Sequence, residues 1–332
     1  MKSCRLATIA ALVFSAPLCA QTVKDAPLAA LLEAGHYAEA ERAATARIAA
    51  RPDDMDGYAA LTLSVLNGND IARREAALKP LEACAARLPQ AAMCHYGVGS
   101  VLGAQALSQG MLKALGSVGR VRDELARAVE LDPLLYAARN ALVQFYLVVP
   151  GIAGGSVTKA REIANGASAR QPEHAKLLLA LVDIGLKKHD QAEVGLASVR
   201  AGDDKELAAD VAEVWGQLGF TYLNDKQDAK ARAVFERVVR DRPSSPRGHY
   251  GLGRVFTEAG QFDQAITAFE RASALDRTGE LPIDYRAGLA YQGKGDRDKA
   301  RTLLTRFLAS GKGSPKNIED AKKRLAQMAE AG

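Results

Sequence analysis

The sequence predicts an all-α fold, a solenoid of about eight helix–turn–helix repeats closed by a C-terminal capping helix. Three observations carry that expectation. First, a set of small and large residues recurs at a nearly fixed offset. Trp215, Leu218, Gly219, Tyr222, Ala231, Phe235 and Pro243 return 34 residues on as His249, Leu252, Gly253, Phe256, Ala265, Phe269 and Arg277. After 35 more they return as Asp284, Ala287, Gly288, Tyr291, Ala300 and Leu304. Second, Pro52, Pro89, Pro133 and Pro172 each follow a small residue twelve positions earlier (Ala40, Ala77, Val121 and Ala160), just as Pro243 follows Ala231. Third, no run of β-branched residues alternates with period two, so nothing argues for a sheet.

The chain opens with Lys2 and Arg5 ahead of an apolar run from Leu6 to Leu18, with Ala20 before Gln21. This pattern predicts a secretory signal peptide, residues 1–20, cut after Ala20. The run is short for a bilayer span, and Ala16-Pro17-Leu18 ahead of Cys19 departs from the lipoprotein pattern. Periplasmic residence is therefore expected, with secreted or membrane-tethered forms as alternatives. The Ala- and Arg-rich composition points to a Gram-negative envelope. Loss of residues 1–20 leaves 42 Lys and Arg against 39 Asp and Glu. So mild an excess, with no basic block interleaved with aromatics, excludes nucleic acid as the expected partner. No later segment is suited to stable membrane insertion.

The repeats are expected over residues 21–313. In the first, the leading helix reads as short and interrupted by Pro27. In the second, Cys84 falls late on a second helix and Cys94 early on the helix that follows, with Pro89 turning the chain between them. Antiparallel packing allows the thiols to meet, and an oxidising compartment permits a disulfide. The alternative is two buried thiols acting as small apolar residues.

The third repeat, around residues 90–133, is enlarged by Gly103–Arg120. Met111 and Leu112 mark either a projecting docking hairpin or internal packing against the next repeat. The fourth, around residues 134–172, carries the Gly-rich segment Pro150–Lys159. A phosphate cradle wants a strand before the loop and a Lys ahead of the hydroxyl residue. Here a helix, Ala138–Val148, precedes it and Lys159 follows Thr158. An enlarged turn with Ser156 capping the next helix is expected instead. A weaker unit runs through Leu178, Leu181, Ala192 and Leu196 to Asp203–Asp204.

Residues 206–310 are the most regular. Trp215, Leu218, Gly219 and Tyr222 fall at i, i+3, i+4 and i+7, one stripe of a helix. Asn224-Asp225-Lys226 breaks it, and Ala231, Val234, Phe235 and Val238 form the stripe of its partner. Gly219 and Ala231 are small where the two helices cross, and Phe235 fills the space beside Trp215 and Tyr222. Residues 314–332 form the cap. Ser314 suits an N-cap and Pro315 the first helical position, and Ile318, Ala321, Leu325 and Met328 supply one apolar stripe.

No chemistry is spelled out locally. The five histidines, His36, His95, His174, His189 and His249, stand in no metal-binding spacing, and no nucleophile–base arrangement has local context. The sequence calls for no metal, no cofactor and no catalytic residue.

The 34-residue series resembles the tetratricopeptide repeat, and the PGI-GGS-KA insertion is similar to one in secreted bacterial repeat proteins. The resemblance implies a right-handed solenoid whose first helices line a concave groove that takes up a peptide or partner protein. The groove positions left free by the packing stripe are Tyr96, Asn140, Gln144, Phe220, Arg247, Tyr250, Arg254, Tyr285 and Gln292. Chaperone-binding relatives grip a terminal carboxylate with Lys and Asn at such sites; Gly216 and Phe220 stand there in the best-formed repeat, so that clamp is not expected. The implied function is a periplasmic scaffold or adaptor. The alternative is a subunit of, or an enzyme in, cell-envelope biogenesis.

Overall fold

Several helices of this protein begin where a short polar side chain accepts from the exposed amides of a first turn. Asp25, Asp54, Ser245 and Asp296 each accept from the backbone N–H three residues on, at 3.1, 3.1, 3.4 and 3.1 Å. The computed structural model describes residues 22–67, 70–109, 116–276, 279, 281–311 and 313–330. The signal-peptide segment 1–20 and the hairpin residues Met111 and Leu112 lie outside them.

The described residues form seventeen α-helices in eight successive pairs plus one. The first four pairs are α1 (Ala26–Glu33) with α2 (Tyr37–Ala50), α3 (Met55–Leu66) with α4 (Ile71–Arg87), α5 (Ala92–Gln109) with α6 (Val118–Leu131), and α7 (Tyr136–Val148) with α8 (Val157–Asn165). The next four are α9 (Pro172–Gly185) with α10 (His189–Ser198), α11 (Lys205–Asn224) with α12 (Asp228–Asp241), α13 (Pro246–Glu258) with α14 (Phe262–Leu275), and α15 (Ile283–Lys294) with α16 (Arg297–Ala309). Helix α17 (Pro315–Glu330) closes the array. The chain divides into two compact units, one ending at Asp210 and one beginning at Val211.

Two sequence expectations are corrected. Pro27 does not interrupt α1; it sits in the first turn behind the Asp25 cap, where a missing N–H costs nothing. Helix α7 starts at Tyr136, two residues before Ala138. The caps expected at Ser156 and Ser314 are formed, through Lys159 N–H at 3.3 Å and Asn317 N–H at 3.2 Å.

Consecutive helices pack on one another from α1 to α10 and from α12 to α17, and first helices of successive repeats also touch: α1 on α3, α3 on α5, α5 on α7, α7 on α9, and α13 on α15. Small residues make the close crossings. A Cβ added at Gly219 would lie 2.8 Å from Phe235 Cζ, and one at Gly253 would lie 2.5 Å from Phe269 Cε1. Phe235, Phe269 and Leu304, the large partners of this series, are fully buried. The turn inside a repeat passes through a left-handed residue: Gly35 (φ 75°), Lys187 (φ 59°), Lys226 (φ 60°), Gly260 (φ 71°) and Gly295 (φ 92°).

A second recurring contact was not visible in the sequence. After the linker proline, the side chain six residues on turns back to its carbonyl: Tyr58 Oη to Pro52 at 3.0 Å, His95 Nε2 to Pro89 at 3.1 Å, Arg139 to Pro133 at 3.0 Å and His249 Nε2 to Pro243 at 3.1 Å.

Cys84 on α4 and Cys94 on α5 form a disulfide across a 5.6 Å Cα–Cα separation. In the fourth repeat, Gly151–Ala153 makes one 3₁₀ turn. A Cβ at Gly155 would fall 1.6 Å from the Val149 carbonyl oxygen, so only glycine fits. Ser156 N–H donates to Tyr146 C=O at 3.0 Å and closes the loop, which holds Ile152 wholly in solvent.

Candidate functional site

The expected groove positions separate into three groups once their side chains are placed. Tyr96, Tyr250 and Tyr285 are buried, at 3%, 5% and 6% exposure, and do not line a free surface. This corrects the assignment, and the physical reason is register. A side chain just after the packing stripe of a first helix points at the next first helix rather than into solvent. Tyr250 packs with Phe269, Ile283 and Ala287. Tyr285 packs with Phe307 and Ala321, and its phenol donates to Asp320 on α17 at 2.8 Å.

The second group is occupied from within the chain. The amide oxygen of Gln292 accepts from Arg324 of α17 at 2.7 Å, so the capping helix covers Gln292 as well as Tyr285. Arg247 is paired with Glu213 at 2.6 Å; its aliphatic stem runs past Gly216, where a Cβ would lie 2.9 Å from Arg247 Cδ. In the other unit, Gln144 donates to Asn140 at 3.0 Å, one turn apart on α7.

The third group is Phe220 and Arg254. Phe220 is half-buried, with its ring 4.8 Å from Phe235 and 5.9 Å from Tyr250, centroid to centroid. The Arg254 guanidinium lies over the Phe220 ring at 5.4 Å, a cation–π arrangement. Beside it stands Arg286 on α15, a residue that sequence reasoning missed, over the Tyr285 ring at 5.2 Å.

Among the described residues neither arginine makes a salt bridge, although Glu258 attracts Arg254 and Asp320 attracts Arg286 from further off. Burial, and then the Arg286 guanidinium, push the proton affinity of Arg254 below the ordinary guanidinium range. The Nε–H of Arg254 and the Nε–H of Arg286 are both buried and unpaired, a condition that costs about 1–3 kcal/mol for a polar group. Those two carboxylates make their closest pairs with other cations, Glu258 with Lys226 at 3.0 Å and Asp320 with Arg324 at 2.6 Å. A signal for Arg286 does exist in the sequence. Positions 282, 283, 289 and 290 hold Pro, Ile, Leu and Ala, so no acid stands one turn away on its own helix to pair with it.

The unit ending at Asp210 has its own polar cluster on three consecutive first helices. The Tyr136 ring meets the His174 ring edge-on at 4.4 Å. Burial, and then the charge and hydrogen bond of Asp210, push the Tyr136 phenol well above its usual range. Burial lowers His174, against the opposing charges of Asp204 and Glu173. Tyr136 and Asp210 are almost fully buried, so this cluster offers little to a partner.

Among the described residues, no group of three or more His, Cys, Asp or Glu side chains is placed to hold a metal ion, and no helix is long and apolar enough to cross a membrane.

Models of the tetratricopeptide repeat match residues 212–243, 228–280 and 284–310. A search of curated proteins finds no match. Among solved structures, the chain is similar to yeast Tom70, with 15% identity and a TM-score of 0.56 over 84% of this chain and 57% of that one. It is also similar to the Cut9-Hcn1 hetero-tetramer of the APC/C, with 17% identity and a TM-score of 0.50 over 90% of this chain and 54% of that one. The chain therefore spans a little over half the length of either. At such identities the likeness concerns the fold alone. The repeat spacing, the helix pairs and the matched segments agree, and the chain is a tetratricopeptide repeat protein.

Proposed function

We propose that the protein is a periplasmic scaffold or adaptor that binds another protein through the face of its first helices, without catalysing a reaction. The observation that carries this reading is the patch of Phe220, Arg254 and Arg286. It joins a half-buried aromatic to two cations whose Nε–H groups are left unsatisfied. Aromatic and Arg side chains in such settings are typical anchors of protein interfaces. The patterned segment 1–20 and the Cys84–Cys94 disulfide favour an exported protein, since disulfides persist in oxidising compartments.

Site-specific photocrosslinking tests the reading in living cells. A photoreactive residue at Phe220 should give a discrete adduct with a partner protein. The same residue at Val194 or Arg301, exposed on second helices, should not. Adducts formed equally from all three positions, or from none, would reject the first-helix face as the binding surface.

A further inference from the structure

The loop that joins α7 to α8 holds an isoleucine, Ile152, wholly outside the protein. We propose that this loop and the neighbouring α9–α10 turn, Leu186–Lys188, form a contact for an anionic phospholipid surface. Ile152 enters the interface, and Lys159, Lys187 and Lys188 meet the headgroups. The inference is independent of the first-helix face.

The two turns lie at one end of a packed pair of helices. First helices α7 and α9 touch, and their C-terminal ends adjoin, since a Cβ at Gly185 would lie 3.1 Å from Leu147 Cδ2. Arg161 of α8 reaches Asp183 of α9 at 2.7 Å and ties the same end together. Lys159 Nζ stands 5.8 Å from the Tyr146 ring, at the base of the loop. Leu186 is exposed beside Lys187 and Lys188.

Charge, backbone and shape favour lipid as the occupant. Residues 149–161 and 184–189 hold Lys159, Arg161, Lys187 and Lys188 and no acid. Arg161 is spent on Asp183, and Arg122, which borders Gly154, pairs with Asp123. The three lysines are exposed and, among the described residues, form no salt bridge, so their charge is available to an anionic surface. The loop amides of Ala153, Gly154, Gly155 and Ser156 are all bonded to carbonyls of this chain, at 2.8, 3.1, 3.1 and 3.0 Å. Backbone groups that approach lipid need such internal partners. The isoleucine stands on this closed loop, with Val149 and Val157 half-buried behind it. Protein interfaces are organised around anchors packed in a desolvated centre. A lone apolar tip flanked by long lysines suits a fluid interface, where the tip enters and the cations stay at headgroup level.

Vesicle co-sedimentation of the exported chain tests this, so that the apolar run Leu6–Leu18 does not itself hold the lipid. Vesicles of phosphatidylglycerol with phosphatidylcholine should bind at least about tenfold more tightly than phosphatidylcholine alone. Ile152→Asp, and separately Lys187→Gln with Lys188→Gln, should each lower that binding by about tenfold, with helical circular dichroism unchanged. Ile152→Trp should bind like the parent chain, and its emission should shift to the blue on the anionic vesicles. The same change at Val194, exposed on α10, should give no shift. Equal binding to both kinds of vesicle, binding untouched by the Ile152 and lysine changes, or an unshifted tryptophan at 152 would overturn the inference. So would a discrete protein adduct from a photoreactive residue at 152 in cells without vesicle binding, which would give the loop to a protein partner.

Discussion

The Nε2 atom of His249 donates to the carbonyl oxygen of Pro243 across 3.1 Å, tying the start of α13 to the linker that leads into it. Tyr58, His95 and Arg139 do the same to Pro52, Pro89 and Pro133. The carbonyl of a residue in a linker has no helical partner, and a side chain six residues on supplies one. Replacing His249 with Ala should destabilise the protein by about 0.5–1.5 kcal/mol, read as a lower urea midpoint with an unchanged slope.

The turn between α9 and α10 places Lys187 at φ 59°, where other repeats use Gly35, Gly260 and Gly295. A side chain in the left-handed region costs about 1–2 kcal/mol, partly offset by the greater unfolded-state freedom of glycine. Lys187→Gly should therefore stabilise the fold by about 0.5–1 kcal/mol. Thermal unfolding checks it. A lower midpoint would mean that Lys187 makes a compensating contact.

The Tyr285–Asp320 bond joins α15 to the capping helix and carries a pH signature. Burial, then the hydrogen bond to Asp320, push the Tyr285 phenol up from 10.0 to about 12. Burial alone would raise Asp320, but hydrogen bonds from Arg324 and Tyr285 outweigh it, and the carboxyl lies below its usual 3.8. The raised Tyr285 contributes stability that is present below pH 10 and is lost as pH rises towards 12. The lowered Asp320 contributes stability that is present above pH 4 and is lost below it. Tyr285→Phe should cost about 1–2 kcal/mol near neutrality. The gap to the wild type should stay level between about pH 5 and pH 10 and close outside that range. Unfolding curves across the range decide it; a gap that widens above pH 10 would contradict the assignment.

Reduction of the Cys84–Cys94 bond, whose partners are 10 residues apart, should lower stability by roughly 2–3 kcal/mol on the chain-entropy account. Urea unfolding with and without a strong reductant measures this directly. A matched Cys84→Ala, Cys94→Ala variant should be insensitive to the reductant.

The helix pairs were legible because packing writes them into the sequence twice. A small residue such as Gly219 must face a large one such as Phe235, and their offset sets the phase of both helices. The face was less legible. Tyr250 and Tyr285 look free when one repeat is read alone, but their burial depends on the following first helix, more than thirty residues on. Gln292 is covered by a capping helix whose docking involves Arg324, 32 residues further along the chain. Arg286 carried only a weak signal, the lack of an acid one turn away on its own helix, and its place beside Arg254 appears only when two repeats are stacked.

The seam between α4 and α5 has one more effect. In an array whose helices rest mainly on their neighbours, opening proceeds from an end, one helix pair at a time. Fraying that starts at α1 can peel away α2 and α3, but at α4 it meets a covalent link to α5. Those two helices cannot drift apart, so the unzipping halts there until both open together. Amide exchange should then rise in a step at this point, with the leading helices trading protons freely while those behind the bolt stay closed.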